Sequence, residues 1–364
     1  MSNPDPSFPT DSARQIDGIV EDAISAYTAP GYAVGVSRHG KPLFTKAYGL
    51  ANLECATPTA VESVFRIGSM TKQFTAVAIL VLADQGRLSI DDTLALFLPE
   101  FPRATEVTLR QLLNHTSGLH NYTEYLTFQA FSRVDRSTSD MVEHIAGLSP
   151  LYDFDPGTAW NYSNSGYYLL GAVVEQVAKV SYGAFLRTAV LDPLSLHDTA
   201  FDAAEDVVPY RASGYDAAPT STSRYCNTGF TSESVAGAAG ALRSTVGDLL
   251  RWHAALQGGK LISPTALTEM TTPAKLKNGQ MTSTNSRWPR TGRPYEYGFG
   301  LYIQSSEGKD RFGHGGSING FNCSMLTYPQ SGTTIVILAN ANGASDAVVE
   351  AVTEAVLGSS PSKP

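Results

Sequence analysis

The chain is poor in the residues that mark several common protein classes. Only three cysteines, Cys55, Cys226 and Cys323, occur in 364 residues, and they lie far apart. There is no CxxC and no Cys/His cluster, so neither a disulfide framework nor a zinc site is expected. Buried or incidental thiols are the simplest reading, with one disulfide plus one free thiol as the alternative. Charged residues make up 16% of the chain, below the usual share of about 25%. The balance is acidic, with a net charge of −8, a pI near 5.4 and no basic block. Nucleic acid and anionic membranes both need clustered Lys and Arg, so neither is an expected partner. No apolar run approaches the roughly 18 residues of a membrane-spanning helix. The first residues, MSNPDPSFPTDSARQ, have neither the cationic nor the apolar region of a signal peptide. The expectation is a cytoplasmic protein, or a periplasmic or secreted one if a leader was removed. HExxH, the P-loop pattern, a strand-linked GxGxxG and the lipase GxSxG are all missing. GGSING at 315–320 comes near the last, but its second glycine falls one place too late.

What is present is a large apolar fraction, 42%, in a chain long enough for roughly two domains. Ile16, Ile19, Val20, Ala23, Ile24 and Tyr27 recur with a helical period until Pro30-Gly31. YAVGVSRHGKPLFTKAYGLAN reads as an antiparallel hairpin about His39-Gly40. FRIGSMTKQFTAVAIL follows, a helix with Met70, Phe74, Val77, Ala78 and Val81 on one face and Gly86 as its stop. From about 91 to 290 helices and loops dominate; 202–235 reads as a long loop or short strands, and 276–296 as a loop. Strand patterns return in YGFGLYIQ, DRFGHGG, GFNCSMLTYP and GTTIVILAN, and a helix over 344–357 closes the chain. Strands at both ends and helices between them predict an α+β fold: an α/β sandwich domain plus a helical domain, with one antiparallel sheet built from both chain ends and flanked by helices. The predicted domains are 15–90 with 291–358, and an inserted, mostly helical 91–290. Residues 1–14 and 359–364 are expected to be disordered tails.

Three short patterns carry candidate chemistry. S-x-x-K is weak alone and occurs three times, at Ser69/Lys72, Ser306/Lys309 and Ser360/Lys363. Only the first opens a long apolar helix. Residues i and i+3 are neighbours on a helix, and a helix start offers free N–H groups and positive partial charge to an oxyanion. A serine needs a base to attack, and burial can lower a lysine until it serves as one. The alternative is Ser69 as a plain N-cap beside a solvated Lys72. Y-x-N occurs at Tyr162/Asn164 and at Tyr225/Asn227. A tyrosine hydroxyl relays protons, and an asparagine amide holds an ammonium and a carbonyl together; a turn with packed aromatics is the plainer reading of either copy. H-x-G occurs once, at His314-Gly315-Gly316. Glycine there lets a substrate approach a strand, and the Ser317 N–H could pair with that of Ser69 as an oxyanion hole.

These patterns, in this order, resemble the penicillin-recognising serine hydrolases: class C β-lactamases, D,D-peptidases of the Streptomyces carboxypeptidase type, and β-lactamase-like family VIII esterases. The resemblance rests on FRIGSMTKQFTAVAIL, LLNHTSGL (112–119), FDPGTAWNYSNSGYYLLG (154–171), AAGALRSTVGDLLRW (238–252) and FGHGGSINGF (312–321). It implies a β-lactamase/transpeptidase-like fold without a cofactor or metal. It implies Ser69 as the acylated nucleophile, Lys72 and Tyr162 as the base system, and Asn164, His314, Gly316 and Ser317 as substrate-binding and oxyanion residues. His115 is read as a structural residue beneath the site. Tyr122 and Trp160 are candidate pocket walls, and Trp288 and Arg290 candidate rim residues. Class C enzymes usually carry Lys-Thr-Gly where this chain has His314-Gly315-Gly316. A histidine bears less positive charge at neutral pH, which disfavours a substrate carboxylate and hence a potent β-lactamase. The leading expectation is a carboxylesterase acting on a small ester or amide. A D-stereospecific peptidase or amidase is the alternative, and a non-catalytic penicillin-binding module the third. The oligomeric state is not legible.

Overall fold

The computed structural model describes residues 5, 8–125, 127–218, 224–282, 295–305 and 310–358. Trp288, Arg290, the second and third S-x-x-K pairs and the tail 359–364 lie outside these residues. The first strands, β1 (Gly31–Arg38) and β2 (Lys41–Asn52), form a hairpin joined by His39-Gly40, with β3 (Thr57–Pro58) at its edge. The late strands are β4 (Glu296–Tyr297), β5 (Tyr302–Gln304), β6 (Arg311–Ile318), β7 (Phe321–Tyr328) and β8 (Thr333–Ala339). All join one antiparallel sheet in the order β3-β2-β1-β8-β7-β6-β5-β4. The seam is β1 against β8, running from Tyr32 opposite Ala339 to Arg38 opposite Thr333. The two ends of the chain therefore meet at the middle of the sheet, as the strand pattern predicted.

Both faces of the sheet are covered, so its central strands read as continuous apolar runs rather than alternating ones. On one face lie the helices Thr10–Ser25 and Ala344–Leu357, which pack on each other. There Ile16, Val20, Val348 and Val352 meet Val34, Ile335 and Ile337. Each such buried side chain is worth about 2 kcal/mol of transfer free energy. On the other face Ala33, Met325, Val336 and Leu338 join the larger core that runs into the helical region. The helix Val246–Gln257 falls inside the expected insertion 91–290, yet it packs directly on β1 and β8.

The expected N-terminal tail needs correction. The first helix begins at Thr10, and Phe8 before it is buried against Phe44. Its first turn, Thr10 to Ala13, carries no apolar stripe, so periodicity shows the helix only from Ile16 onward. The helix after Ser69 is also more enclosed than its pattern implied. It runs from Thr71 to Asp84, and every residue from Thr71 to Leu82 is buried. Phe74 stacks on Trp252 with ring centroids 4.0 Å apart. A helix that is apolar all round is one surrounded by protein. Cys323 is buried, Cys55 and Cys226 are exposed, and all three are free thiols. Among the described residues no single helix is long and apolar enough to cross a membrane.

Candidate active site

Ser69 sits in a single 3₁₀ turn, Gly68–Met70, that feeds the buried helix. It caps neither element: no side-chain cap bond is made at either start. Its Oγ instead lies 3.2 Å from the Lys72 Nζ. Lys72 is fully buried, and its other two contacts are the Asn164 Oδ1 at 2.7 Å and the Ala239 carbonyl at 2.8 Å. Three neutral oxygens surround the nitrogen, so as a free amine it keeps two donors for Asn164 and Ala239 and a lone pair for the Ser69 hydroxyl. Among the described residues no carboxylate pairs with Lys72. Burial therefore pushes the Lys72 amine well below its ordinary value.

The Y-x-N segment closes over this amine. Asn164 is the first residue of the helix Asn164–Ala178. Its amide nitrogen donates to Thr123 Oγ1 at 3.1 Å, which leaves its oxygen facing Lys72. Tyr162 lies just before that helix, with the Lys72 Nζ 4.8 Å from its ring centroid. Its hydroxyl is buried, which raises the phenol well above 10, while the nearby Ser69 opposes that rise. His115 packs 4.4 Å beneath the Tyr162 ring and takes the Ser163 N–H on Nδ1 at 3.2 Å. Burial and the neighbouring Lys72 keep His115 neutral.

Strand β6 crosses the serine turn at very close range. A Cβ on Gly316 would fall 1.8 Å from the Ile67 carbonyl oxygen. A Cβ on Gly68, whose φ is +50°, would lie 2.9 Å from the Ser317 nitrogen. No side chain fits either gap, and the approach brings the Ser317 backbone beside Ser69. Strand β5 pairs with β6 only from Arg311 to Gly313. The β6 edge from His314 to Ile318 thus continues past the end of its neighbour, towards the serine turn. His314 is 2% exposed and lies one layer behind the site. Its Nδ1 is 2.5 Å from the Gly315 carbonyl, so Nε2 accepts from the Tyr297 hydroxyl, 3.0 Å away. Burial, then the neighbouring Lys72, lowers His314 to about 3.

The seven residues expected at the site do converge, in two layers. Ser69, Asn164 and Ser317 border a cleft of about 180 Å³. Lys72, Tyr162, Gly316 and His314 stand behind them. For His314 this corrects the expectation of direct substrate contact: it is held by Tyr297 and walled by Tyr302, with centroids 4.8 Å apart. Tyr122 does border the cleft, whereas Trp160 packs on Tyr297 and His115. No charged side chain is among the described residues lining the cleft. Among the described residues no cluster of three or more His, Cys, Asp or Glu could hold a metal ion.

Several contributors escaped the sequence reading. Asn121 accepts the Asn164 N–H at 3.1 Å and the Thr123 hydroxyl at 3.0 Å, fixing the loop that orients the amide. The proximity of N-x-T at 121–123 to the site is not encoded by spacing. The Ala239 carbonyl has no sequence signal at all, because it is backbone.

The chain matches the family model described as Beta-lactamase over residues 16–358. It is 28% identical to a penicillin-binding protein of Bacillus subtilis over 312 residues, 83% of this chain and 66% of that one. The chain thus spans just under two thirds of that relative's length. Among solved structures it is similar to a D-stereospecific amidohydrolase from Streptomyces sp., with 29% identity and a TM-score of 0.78, covering 96% of this chain and 99% of that one. It shares the fold of an octameric penicillin-binding protein homologue from Pyrococcus abyssi, with 24% identity and a TM-score of 0.81, covering 96% and 78%.

Proposed function

Since the chain belongs to the beta-lactamase family and has the fold of its serine hydrolases, we propose that it cleaves small esters or amides through an acyl-enzyme on Ser69, with carboxylic esters foremost. The observation that carries this reading is the buried Lys72 amine, 3.2 Å from Ser69 Oγ, whose hydrogen-bond partners among the described residues are neutral oxygens. As a free amine, Lys72 accepts the Ser69 proton while Oγ bonds to the substrate carbonyl carbon. The Ser69 and Ser317 N–H groups receive the oxyanion. Tyr162, a neutral phenol, gives its proton to the departing alkoxide or amine and is reprotonated from the Lys72 ammonium. Water then attacks the acyl-enzyme by the reverse proton path, releasing the acid and restoring Ser69. The depressed Lys72 and the raised Tyr162 suit these parts: amine as base, phenol as acid. The two are coupled, so a pH profile reports the pair.

The uncharged lining favours a neutral acyl group. Neither a substrate carboxylate nor an α-ammonium finds a counter-ion among the described cleft residues. Tyr122, Phe128 and Ile318 supply apolar wall, and the volume suits a short chain. The test is hydrolysis of p-nitrophenyl acetate and butyrate by wild type and Ser69→Ala. Ester turnover lost in a folded Ser69→Ala supports the reading; turnover surviving in it sinks the Ser69 assignment. A second reading, a D-amino-acid amidase, is favoured by the likeness to the Streptomyces amidohydrolase. D-Ala-p-nitroanilide and nitrocefin in the same assay separate the amidase and β-lactamase branches.

A further inference from the structure

The segment Glu233–Gly240 is a wall between two cavities. Its front residues Ala236, Ala239 and Gly240 face the Ser69 cleft. Its back residues Ser234, Gly237 and Ala238 face a separate cavity of about 250 Å³. The wall breaks in the middle, where Gly237 takes φ 47° and ψ −143°. A Cβ there would fall 2.4 Å from the Tyr168 ring. The wall is held by its carbonyls. Tyr122 and Tyr168 donate to the carbonyls of Val235 and Ser234, at 2.6 and 2.9 Å. Thr75 donates to Ala238 at 2.6 Å, and Lys72 to Ala239 at 2.8 Å. Glu233 at its start pairs with Arg66.

The rear cavity is a built pocket with a definite chemistry. Tyr168, Tyr182 and Phe201 give it aromatic walls, and Arg136 lies at its rim. Among the described residues the Arg136 Nε is buried without a hydrogen-bond partner, while the guanidinium stacks 4.7 Å over the Phe131 ring and its charge reaches Asp140. Glu175, the one acid in the lining, is engaged by the Tyr182 N–H at 2.9 Å. A cation with an unanswered donor beside aromatic surface is complementary to an anion carried on an apolar body.

We propose that this rear cavity is a second ligand site, for a small aromatic carboxylate, and that its occupancy alters turnover at Ser69. The ligand's carboxylate meets Arg136 and its ring lies between Tyr168 and Phe201. Two short links run from there to the amine behind Ser69. One is the wall itself, since Ala238 lines the cavity and the next carbonyl, Ala239, holds Lys72. The other is the Tyr182 hydroxyl, 2.6 Å from Thr75 Oγ1, on the same helix as Lys72 and three residues on. The binding half of the proposal stands apart from the function proposed for Ser69; the coupling half rests on it.

Phenylacetate is the probe, with benzyl alcohol as its uncharged counterpart. Calorimetric titration of wild type is expected to show one saturable site for phenylacetate and none of comparable affinity for benzyl alcohol. Arg136→Gln, at the partly exposed rim, should weaken binding about tenfold or more while leaving basal ester turnover unchanged. Ala172→Phe, which fills the cavity from the helix beside it, should abolish binding; its melting temperature reports whether it folds. Saturating phenylacetate should change kcat/KM for p-nitrophenyl butyrate at least twofold in wild type and leave Arg136→Gln unaltered at that concentration. Absence of binding, or binding equally tight in Arg136→Gln, would overturn the site. Binding without an effect on turnover would overturn the coupling. If Ser69→Ala keeps full activity, the esterase mechanism fails while the calorimetric result still judges the pocket.

Discussion

The same three-residue pattern occurs twice in this chain and has two different fates. Tyr162-Ser163-Asn164 sits at the entrance to a buried helix, over a buried amine. Tyr225-Cys226-Asn227 is a strand of a two-stranded ribbon. There Asn227 donates to Glu54 at 2.7 Å, and the Tyr225 ring packs near Tyr27 and Tyr215. Burial raises both phenols, Tyr225 to about 12 and Tyr162 well above its ordinary value. What separates them is the partner. One asparagine faces a buried lysine amine with no carboxylate beside it among the described residues; the other faces a carboxylate on the surface. The pattern acquires chemistry from what the fold brings against it.

The strongest way to break this contrast is to remove the partner. Lys72→Ala should lower kcat/KM for p-nitrophenyl butyrate about a thousandfold, since among the described residues no other amine, imidazole or carboxylate hydrogen-bonds Ser69, while circular dichroism shows an intact fold. Tyr162→Phe should cost about a hundredfold, with a larger loss for amides, whose leaving group needs the proton more. A loss confined to KM in either variant would contradict a chemical part. The pH profile sharpens the contrast further. In the proposed mechanism Lys72 works as the free amine, so kcat/KM should fall as pH drops through its value. Burial moves that limb well below the ordinary lysine range near 10.5. His314, lowered to about 3, should add no limb between pH 5 and 8. The smallest effect belongs to the surface copy: Tyr225→Phe and Asn227→Ala should leave kcat/KM within about twofold. A large loss there would show that the ribbon takes part in the chemistry.

How far the sequence disclosed this arrangement follows from the range of each signal. Local periodicity revealed the hairpin about His39-Gly40, the last helix at 344–357 and the strands that unite the chain ends. The S-x-x-K, Y-x-N and H-x-G patterns revealed the residues that converge, because each needs only a few neighbouring positions. Periodicity missed the first turn at Thr10, which is polar, and the all-round burial of the helix after Ser69, which depends on packing from distant segments. It could not show that Asn121 and Thr123 orient Asn164, or that the Ala239 carbonyl completes the Lys72 cradle. Those contacts join residues 41 to 167 positions apart. His314 was found by its motif yet assigned one layer too far forward, because a motif does not report burial.

The central claim is that Lys72, as a buried neutral amine, activates Ser69. A fluorophosphonate probe followed by peptide mass mapping tests it most directly, across pH, in wild type and Lys72→Ala. The account predicts a single adduct on Ser69, forming at a rate that rises with pH well below the ordinary lysine range, and slowed about a thousandfold without Lys72. An adduct on another residue, or labelling of Ser69 at the same rate in Lys72→Ala, would contradict it.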